Sequence, residues 1–443
     1  MNKKHITRRT LLKSTALAAG FPAIIPGTAL GKDGAVAPGD RVNIGLVACG
    51  GRSGFANHYK EYEKSQVVAV CDPIRERRLE KKQYFDNCPD YADFRELLAR
   101  PDVDAVHIST ADHWHVPVSL AAARAGKDMY TEKPLGISIE QCLAAREITR
   151  KHKRIFQYGT QNRSMAQVRM GIELVLNGHI GDVTRVHVWC PQSEYGGSGK
   201  PMPVPPGFDY DLWLGPAPEK PFSHDRCLVQ SQRNGIFHIY DYALGFIAGW
   251  GAHPLDQLQW WADHMNLGIP VRYKGSGTLP ANGLFDTLTH WDVTCTYANG
   301  LELRFMDNAT ARYTQKFDKI PFLNEMNFYH GTLFEGTEGW VAVTRGGWKV
   351  YPETLYQRAK DPGEIRLIES RDHIENFVDT VLSREQPVSD LHSAVNSDMI
   401  SHLSDLCIRL DRELVWDPQR ETIVNDAEAQ KRMHRDMRVP WTL

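Results

Sequence analysis

A glycine-rich turn in this 443-residue chain has the composition of a phosphate-binding loop. The turn, residues 48–54 (Ala-Cys-Gly-Gly-Arg-Ser-Gly), follows a buried-strand pattern and precedes a helix. Glycines at such a junction let the backbone approach a pyrophosphate, and the helix N-terminus offers unpaired N–H groups. The match to Gly-x-Gly-x-x-Gly is imperfect, because Ala48 and Ser53 occupy the first and third glycine positions. We expect cofactor contacts from Gly50, Gly51, Arg52 and Ser53.

Asp72 ends the next strand pattern, about twenty residues after the turn, where dinucleotide-binding folds place an acidic residue. A carboxylate there accepts hydrogen bonds from the ribose 2′-hydroxyl of NAD and repels the 2′-phosphate of NADP. The neighbouring Arg75 and Arg77 leave NADP open, and Asp72-Pro73 alone is also typical of a simple turn. The combination favours bound NAD.

Two further polar clusters follow strand patterns. Residues 110–115 read Thr-Ala-Asp-His-Trp-His, and Glu132-Lys133-Pro134 begins seventeen residues after that cluster ends. Open parallel sheets bind ligands at the carboxyl ends of their strands, so both clusters predict one site. His113 and His115 could also bind a metal. No carboxylate or cysteine set with ligand spacing accompanies them, and we expect no metal.

The elements that position these clusters alternate between strand and helix. The strand patterns lie at 41–48, 67–71, 105–109, 128–131 and 154–158, and the helix patterns at 92–100, 116–126 and 139–152. This alternation predicts an α/β fold with a doubly wound parallel sheet, a Rossmann domain, over residues 40–160.

The pattern changes from residue 161 to the C-terminus at 443, where strand signals dominate. A helix is predicted at 165–177, strands at 183–190, 289–298, 301–307, 328–335 and 339–345, and closing helices at 372–382 and 393–410. Asn299-Gly300 is typical of a tight hairpin turn. We therefore expect a second α/β domain with an open, mostly antiparallel sheet.

Together these motifs resemble the glucose–fructose oxidoreductase / inositol dehydrogenase (Gfo/Idh/MocA) family of NAD(P)-dependent sugar oxidoreductases. The resemblance rests on the turn 48–54, Asp72, the clusters at 110–115 and 132–134, and the segments 159–163 (Gly-Thr-Gln-Asn-Arg) and 250–253 (Trp-Gly-Ala-His). It implies a Rossmann domain followed by a substrate-binding α/β domain that also forms a homo-oligomer, a dimer or tetramer.

The resemblance also implies two catalytic residues, Lys133 and His253, which match the family's lysine and histidine beside the oxidised carbon. Hydride removal from C–OH needs a base for the hydroxyl proton and a nearby cation that lowers its pKa. Lysine suits the cationic role and histidine titrates in the right range. Many family members carry an aspartate four residues before the histidine, where this chain has Gly249. The candidates to replace it are Tyr240, Asp241, Tyr242 and Asp256.

Further contacts follow from the matching positions. We expect cofactor contacts from Thr110, His113, His115, Glu132, Lys133 and Gln161. We expect substrate contacts from Lys133, Arg163, Trp213, His253 and Asp256. Arg163 is included because a buried charge needs a partner. Trp213 is typical of a residue that stacks on a sugar face, and equally of a core aromatic residue.

Residues 1–31 resemble a twin-arginine signal peptide. Arg8-Arg9 precede an apolar stretch that ends near Ile25, and residues 29–31 (Ala-Leu-Gly) offer the small side chains that signal peptidase needs. We expect the twin-arginine translocase to export the folded protein to the periplasm, where the leader is removed. The alternative is a basic, disordered N-terminus.

Composition excludes several classes of partner. The chain is 42% hydrophobic and 24% charged, with a net charge of −2. That balance offers no nucleic-acid surface, and no second apolar run approaches the ~18 residues of a membrane anchor. The eight cysteines form no Cys-x-x-Cys pair, so we interpret them as small hydrophobic residues, with disulfides possible.

Export also limits the reaction, because an enzyme outside the cytoplasm must recycle a tightly bound cofactor in place. We predict an oxidoreductase that acts on a CH–OH group of a sugar or glycoside. One alternative is a redox-neutral NAD-dependent glycosidase, in which transient oxidation at C3 acidifies the C2 proton. Known members of that branch replace the Glu-Lys-Pro motif. The second alternative is a non-catalytic sugar-binding protein on the same fold, which the presence of Lys133 and His253 disfavours.

Overall fold

A computed structural model describes residues 36–227, 235–313 and 329–443. The predicted twin-arginine leader lies outside the described residues, as does the first residue of the strand predicted at 328–335. Within the described ranges, no helix is long and apolar enough to cross a membrane.

The first sheet has six parallel strands in the order β3-β2-β1-β4-β5-β6, which confirms the predicted Rossmann architecture. Its strands are β1 Val42–Val47, β2 Ser65–Cys71, β3 Asp90–Tyr91, β4 Ala105–Ile108, β5 Asp128–Thr131 and β6 Phe156–Tyr158. The strand order reverses between β1 and β4. In doubly wound sheets the ligand crevice forms at this reversal.

Five helices lie between the strands of this sheet along the chain: α1 His58–Glu61, α2 Arg75–Tyr84, α3 Phe94–Leu98, α4 Asp112–Arg124 and α5 Ile139–His152. The turn after β1 continues into a 3₁₀ helix, Gly51–Asn57. Helix α4 begins four residues before its predicted start, so His113 and His115 are helical. Helix α2 buries none of its residues, which explains why no apolar periodicity predicted it.

The second sheet has nine strands in the order β13-β12-β11-β7-β10-β9-β8-β14-β15. Only the β7–β10 pair among them is parallel, as predicted for a mostly antiparallel sheet. The strands are β7 Val183–Cys190, β8 Arg272–Thr278, β9 His290–Thr296, β10 Glu302–Asp307, β11 Gly331–Gly336, β12 Trp340–Thr344, β13 Gly347–Tyr351, β14 Leu414–Asp417 and β15 Thr422–Ile423. The predicted Asn299-Gly300 turn joins β9 to β10, with Gly300 at a φ of 90°.

The helices of the second part pack around this sheet and against the first domain. They are α6 Ala166–Leu176, α7 Tyr210–Leu214, α8 His224–Cys227, α9 Gly235–His238, α10 Phe246–Gly249, α11 Ala252–His264, α12 Asn308–Tyr313, α13 Leu355–Arg358, α14 His373–Ser383, α15 Leu391–Arg409 and α16 Ala427–Lys431. A further 3₁₀ helix, Gln161–Ser164, follows β6.

Helix α14 belongs to the core of the first domain although it lies far along the chain. Its Ile374 and Phe377 pack in one buried cluster with Ile44 of β1 and Tyr130 of β5. The hydrophobic core of the first domain therefore includes residues that lie beyond the predicted sequence boundary at residue 160. All eight cysteines are buried and unpaired, in keeping with their interpretation as small hydrophobic residues.

Candidate active site

A cleft of about 920 Å³ opens where the order of the first sheet reverses. Its walls include the turn 48–54 except the buried Ser53, together with Asp72, the segment 109–112 and Glu132-Lys133, and the second domain contributes Trp213. Cofactor sites commonly have volumes of roughly 300–1,000 Å³. The structure thus gathers most of the predicted cofactor residues around one cavity of suitable size.

The glycine turn leaves open space above its backbone. No atom lies within 4 Å of where a Cβ would project at Gly51 or Gly54, and at Gly50 only the Arg77 guanidinium lies within that distance. The Ser53 hydroxyl donates a 2.6 Å hydrogen bond to the Gly50 carbonyl and closes the turn from below. Backbone exposed in this way at the start of a helix fits a dinucleotide pyrophosphate.

Ala48 adopts a left-handed conformation, with a φ of 79°. Glycine tolerates this region and residues with a Cβ rarely enter it. Ala48 thus keeps the backbone geometry that glycine would have at the first position of the motif.

Asp72 is buried directly after β2, and one of its carboxylate oxygens bonds to the glycine turn while the other bonds to the segment that follows the strand. Oδ2 accepts a 2.7 Å hydrogen bond from the Cys49 N–H, and Oδ1 accepts one of 2.8 Å from the Ile74 N–H. Burial raises the pKa of Asp72, and these two hydrogen bonds oppose the rise. Asp72 therefore fixes the glycine turn in addition to lining the cleft.

Glu132 is buried and ion-paired across the cleft wall. Its Oε2 lies 2.9 Å from Nε of Arg52, and its Oε1 accepts a 3.1 Å hydrogen bond from the Gln161 amide. Burial by itself would raise the pKa of Glu132, but the charges of Arg52 and Lys133 lower it below its ordinary value. The predicted residues Arg52, Glu132 and Gln161 thus form one connected network.

Lys133 reaches from the first domain to the second. Its Nζ donates a 2.6 Å hydrogen bond to the Gly249 carbonyl and lies 5.4 Å from the centre of the Trp250 ring. Burial lowers the pKa of Lys133 to about 8, with Glu132 opposing the shift. An amine with this pKa exchanges protons readily near neutral pH.

His253 lies on the first turn of α11 and is 2% exposed. Its Nε2 is 3.4 Å from Nη2 of Arg345, and its ring stacks on His330 with centroids 5.5 Å apart. Burial, followed by the charges of Lys133 and Arg345, lowers the pKa of His253 well below its ordinary value. The imidazole is thus held neutral. These cations oppose the proton-accepting role that the sequence assigned to it.

Three of the four residues expected to replace the aspartate at Gly249, namely Tyr240, Tyr242 and Asp256, have other partners. The Tyr240 N–H donates to Asp286, and the Tyr242 hydroxyl accepts from Arg226. Asp256 pairs with Arg163. Beside His253 the structure instead places Arg345, from the turn after β12, and His330, which nothing in the sequence had indicated.

Arg163 and Asp256 form a two-pronged ion pair. Both N–O distances are 2.7 Å, the side chains are 2% and 1% exposed, and the Arg163 guanidinium lies 5.2 Å from the Trp260 ring centre. Each charge is satisfied by the other, and neither residue lines the cleft. The structure therefore brings these two predicted substrate residues to each other rather than to the cleft.

Two of the remaining predicted residues, His113 and His115, hold together the segments that form the walls of the cleft. His113 Nε2 lies 3.1 Å from the Trp213 carbonyl, and burial lowers the pKa of His113 to about 4. His115 Nδ1 lies 2.6 Å from the Pro134 carbonyl, and its Nε2 is 3.2 Å from the Thr110 carbonyl. His115 thus ties together the loops after β4 and β5, while Thr110 and Trp213 line the cleft.

Asp398 of α15 fixes the loop that follows Lys133, and no sequence signal pointed to it. Its Oδ2 accepts from the N–H groups of Leu135 and Gly136, at 2.8 and 3.2 Å, and its Oδ1 accepts a 2.8 Å hydrogen bond from the Tyr158 hydroxyl. Burial raises the pKa of Asp398 to about 7. A helix of the second domain thus positions the Lys133 loop from behind.

Among the described residues, one trio with ligand atoms close enough for a metal is Cys142, Asp398 and His402. These side chains lie under the Leu135–Gly136 loop. The Asp398 carboxylate is already engaged by two N–H groups and a hydroxyl. We assign the trio to loop support.

Family models match both parts of the chain. Residues 42–160 match the NAD-binding Rossmann fold of the Gfo/Idh/MocA oxidoreductase family. Residues 173–317 and 360–443 match that family's C-terminal α/β domain. The chain belongs to the Gfo/Idh/MocA oxidoreductase family. Membership agrees with the resemblance inferred from the motifs and with a Rossmann domain followed by an α/β domain.

Curated relatives match this Gfo/Idh/MocA protein over limited segments. A glycosyl hydrolase family 109 protein 2 from Shewanella sp. (strain ANA-3) is 36% identical over 114 residues, which cover 23% of the chain and 25% of the relative. The alpha-N-acetylgalactosaminidase of Shewanella oneidensis is 30% identical over 155 residues, covering 31% and 33%. The chain thus spans a third or less of the length of these relatives.

Solved structures share the whole fold at low identity. The WlbA dehydrogenase from Bordetella pertussis, in complex with NADH and UDP-GlcNAcA, has a TM-score of 0.62 at 13% identity, with 85% of this chain and 98% of that one covered. The aldose-aldose oxidoreductase from Caulobacter crescentus, complexed with glycerol, has a TM-score of 0.58 at 15% identity, with 85% and 99% covered. These neighbours establish the fold.

Proposed function

We propose that this protein is a nicotinamide-dependent oxidoreductase that acts on a CH–OH group of a sugar or glycoside. The observation that carries the proposal is the Lys133 amine, held in the cleft by the Gly249 carbonyl at 2.6 Å and with its pKa lowered by burial to about 8. An enzyme that oxidises an alcohol needs such a group to take the hydroxyl proton.

The cleft suits a nicotinamide dinucleotide. The open backbone at Gly50 and Gly51 would hold the pyrophosphate, and Asp72 would accept from the adenosine ribose. Asp72 favours NAD, and Arg77 on the same wall keeps NADP as the alternative. When bound, the nicotinamide would supply the acceptor for the substrate hydride.

Lys133 and His253 would have different roles in the reaction. The neutral Lys133 amine accepts the hydroxyl proton, and the ammonium so formed stabilises any remaining negative charge on the oxygen. His253 is kept neutral by the adjacent cations. It is 2% exposed and does not line the cleft, so it would orient the substrate only where the substrate extends beyond that lining. This assignment reverses the roles expected from the sequence.

We also propose that the protein is exported by the twin-arginine route, retains its cofactor tightly, recycles it internally and forms a homo-oligomer. The Arg8-Arg9 leader motif supports export. Mass spectrometry of the periplasmic protein would test removal of residues 1–31, and light scattering would test assembly. An uncleaved cytoplasmic monomer would contradict both expectations.

A second candidate is the redox-neutral glycosidase, which the relatives named as glycosyl hydrolase family 109 proteins favour. Its cycle would begin with the same proton removal by Lys133 and would continue with loss of the aglycone. Retention of the Glu132-Lys133-Pro134 motif supports the dehydrogenase proposal.

One experiment separates these functions. Purified holoprotein is denatured to release any nucleotide, and a parallel sample is incubated with aryl glycosides and free sugars. A ketosugar product supports the oxidoreductase, and aglycone release without an added acceptor supports the glycosidase. Absence of any nicotinamide nucleotide would overturn both and favour a sugar-binding protein.

A further inference from the structure

We propose that Arg438 is a positioning residue that holds a strap across the cofactor cleft, so that a bound dinucleotide exchanges only when the strap detaches. The strap is residues 205–215, which end with helix α7 and the glycine after it. The proposal rests on the proposed function, because it assigns the element that controls exchange of the nicotinamide dinucleotide.

The strap contacts the first domain directly after Asp72. Phe208 of the strap and Ile74 form an isolated antiparallel pair. The peptide groups on either side of this pair exchange two hydrogen bonds, of 2.8 and 3.0 Å. Asp72 lines the cleft beside this contact. The strap is therefore attached by its backbone to the wall where the adenosine ribose would bind.

The strap contacts the first domain a second time, at Trp114 of α4. The Trp114 Nε1–H donates a 3.0 Å hydrogen bond to the Trp213 carbonyl. At Gly215, whose φ is 50°, a Cβ would lie only 1.9 Å from Cζ2 of Trp114. Trp114, Leu212 and Trp213 all line the cleft. The backbone of the strap thus packs directly on the indole ring, with no room for a side chain between them.

These two contacts lie on opposite sides of the glycine turn. The turn follows β1, and β1 lies between β2 and β4 in the sheet. The strap is attached after β2, beside Asp72, and again at α4, which follows β4. A dinucleotide bound at the turn would therefore lie between the turn and the strap. We infer from this placement that the strap must move for the dinucleotide to enter or leave.

Arg438 fixes the end of the strap. Its Nε donates a 2.9 Å hydrogen bond to the Gly215 carbonyl, and its Nη2 donates one of 2.8 Å to the Asp211 carbonyl. Its Nη1 lies 2.5 Å from the Asp211 carboxylate. That carboxylate is 81% exposed, and exposed ion pairs contribute little, so the two bonds to carbonyl groups matter most. They satisfy carbonyl groups at the C-terminal end of α7, as basic side chains often do.

The segment that carries Arg438 also packs on the first domain. The Trp441 ring lies edge-on to Trp114, with centroids 4.7 Å apart, and the Arg95 guanidinium lies 5.1 Å from the Trp441 ring centre. Neither Arg438 nor Trp441 lines the cleft. Loss of the Arg438 side chain therefore removes no direct contact with a dinucleotide in the cleft and acts only on attachment of the strap.

The simpler role for Arg438 is to stabilise a wall that never moves. The two roles differ in the exchange rates. If the strap must detach, uptake and release pass through the same open state, so a larger open population speeds both by the same factor and leaves Kd unchanged. If the wall is fixed, loss of Arg438 lowers the free energy of unfolding and leaves both rates as they were.

The first experiment compares full-length wild type, R438M and the control R432M. Arg432 pairs with Glu428 on α16, outside the cleft lining. Release of NADH from the loaded protein is followed by its fluorescence after excess NAD is added, and Kd is measured by titration. Denaturant unfolding of each variant is recorded beside the rates. No substrate is present, so the readout does not depend on turnover.

We expect R438M to release NADH about tenfold faster or more, because a hydrogen bond to a charged group commonly changes an equilibrium by such a factor. Its Kd should stay within about twofold of wild type, since uptake accelerates equally. R432M should keep both wild-type values. An unchanged release rate in R438M would overturn the proposal. Faster release with a proportionally weaker Kd would also overturn it, because Arg438 would then support the bound state rather than the closed strap.

The second experiment joins the strap to the first domain by a disulfide in I74C/F208C. In an antiparallel pair flanked by its hydrogen bonds the Cα atoms are about 4.5 Å apart, within the range that a disulfide spans. Oxidised protein should release NADH at least about tenfold more slowly than the same protein after reduction, because the open state is blocked. Wild type treated alike is the control, since its eight cysteines are buried and unpaired.

The outcomes separate this proposal from the proposed function. Equal release rates from oxidised and reduced I74C/F208C would overturn the role of the strap, even if R438M had failed to fold. Wild-type protein that binds neither NADH nor NADPH would overturn the proposed function and the strap together. Strap-dependent release from a protein that oxidises no sugar or glycoside would overturn the oxidoreductase and leave the strap inference intact.

Discussion

The Lys133 ammonium donates a 2.6 Å hydrogen bond to the Gly249 carbonyl, and this bond joins the loop after β5 to helix α10 of the second domain. A backbone carbonyl thus stands where many relatives were expected to carry an aspartate. A carbonyl can orient the lysine but takes no proton, so this bond positions Lys133 without sharing in proton transfer.

Replacement of Lys133 by methionine should remove turnover and spare the cofactor. A positioned acid–base group contributes roughly 10²–10⁴-fold to a rate, so we expect kcat to fall by about that factor. Methionine keeps most of the buried chain length. Nucleotide released from denatured K133M should equal that from wild type. K60M, which alters an exposed lysine, is the control and should keep full activity. Wild-type turnover in K133M would exclude Lys133 from the chemistry.

The pH dependence of kcat/KM should follow the Lys133 amine. The proton acceptor is the neutral form, so activity should rise as the pH increases through about 8, the pKa to which burial lowers this lysine. Steady-state rates from pH 6 to 10 would record this limb, with protein stability checked at each pH. A profile that rises near pH 6.5 and is then level would instead indicate a histidine with an ordinary pKa.

Most elements that line the cleft could be predicted because they have local signals. The glycine turn after β1, the strand ending at Asp72 and the motif at Glu132-Lys133 all follow from period and composition, whereas helix α2 does not. The supporting residues could not be predicted, because their partners are distant in sequence. Asp398 acts on residues more than 250 positions away, and Arg345 reaches His253 from a turn of the second sheet.

Burial also changed roles that residue type alone had suggested. Histidine was expected to titrate and lysine to remain charged, as both do in water. The structure surrounds His253 with cations and desolvates Lys133, so their proton affinities shift in a direction that no motif encodes.

Replacement of Ala48 by glycine should stabilise the protein. The left-handed φ of 79° costs alanine about 1–2 kcal/mol, and the greater backbone entropy of unfolded glycine offsets about 0.5–1 kcal/mol of this. We expect A48G to raise the free energy of unfolding by roughly 0.5–1 kcal/mol, measured by urea denaturation. A121G, within helix α4, should lower it. Destabilisation by A48G would mean that the methyl group makes packing contacts worth more than the strain.

Loss of the Asp398 carboxylate should loosen the loop that carries Lys133. D398A leaves the N–H groups of Leu135 and Gly136 without their acceptor, and one unpaired buried donor costs about 1–3 kcal/mol. We expect a fall in stability of at least that size and a larger effect on kcat than on KM. S397A is the matched control, because among the described residues the Ser397 hydroxyl bonds only to the Ala394 carbonyl of its own helix. A stability loss with unchanged kcat would show that the loop does not depend on this support.

The Arg163–Asp256 pair should contribute to stability rather than to substrate binding. D256A strands a buried guanidinium, which costs about 3–5 kcal/mol, whereas R163M/D256M replaces both charges with apolar side chains and should regain most of the loss. Denaturant unfolding of wild type, R163M, D256M and R163M/D256M would give the coupling free energy between the two residues. KM of the folded double variant should stay close to wild type, because neither side chain reaches the cleft. A large rise in KM with little change in stability would restore the substrate-binding role expected from the sequence.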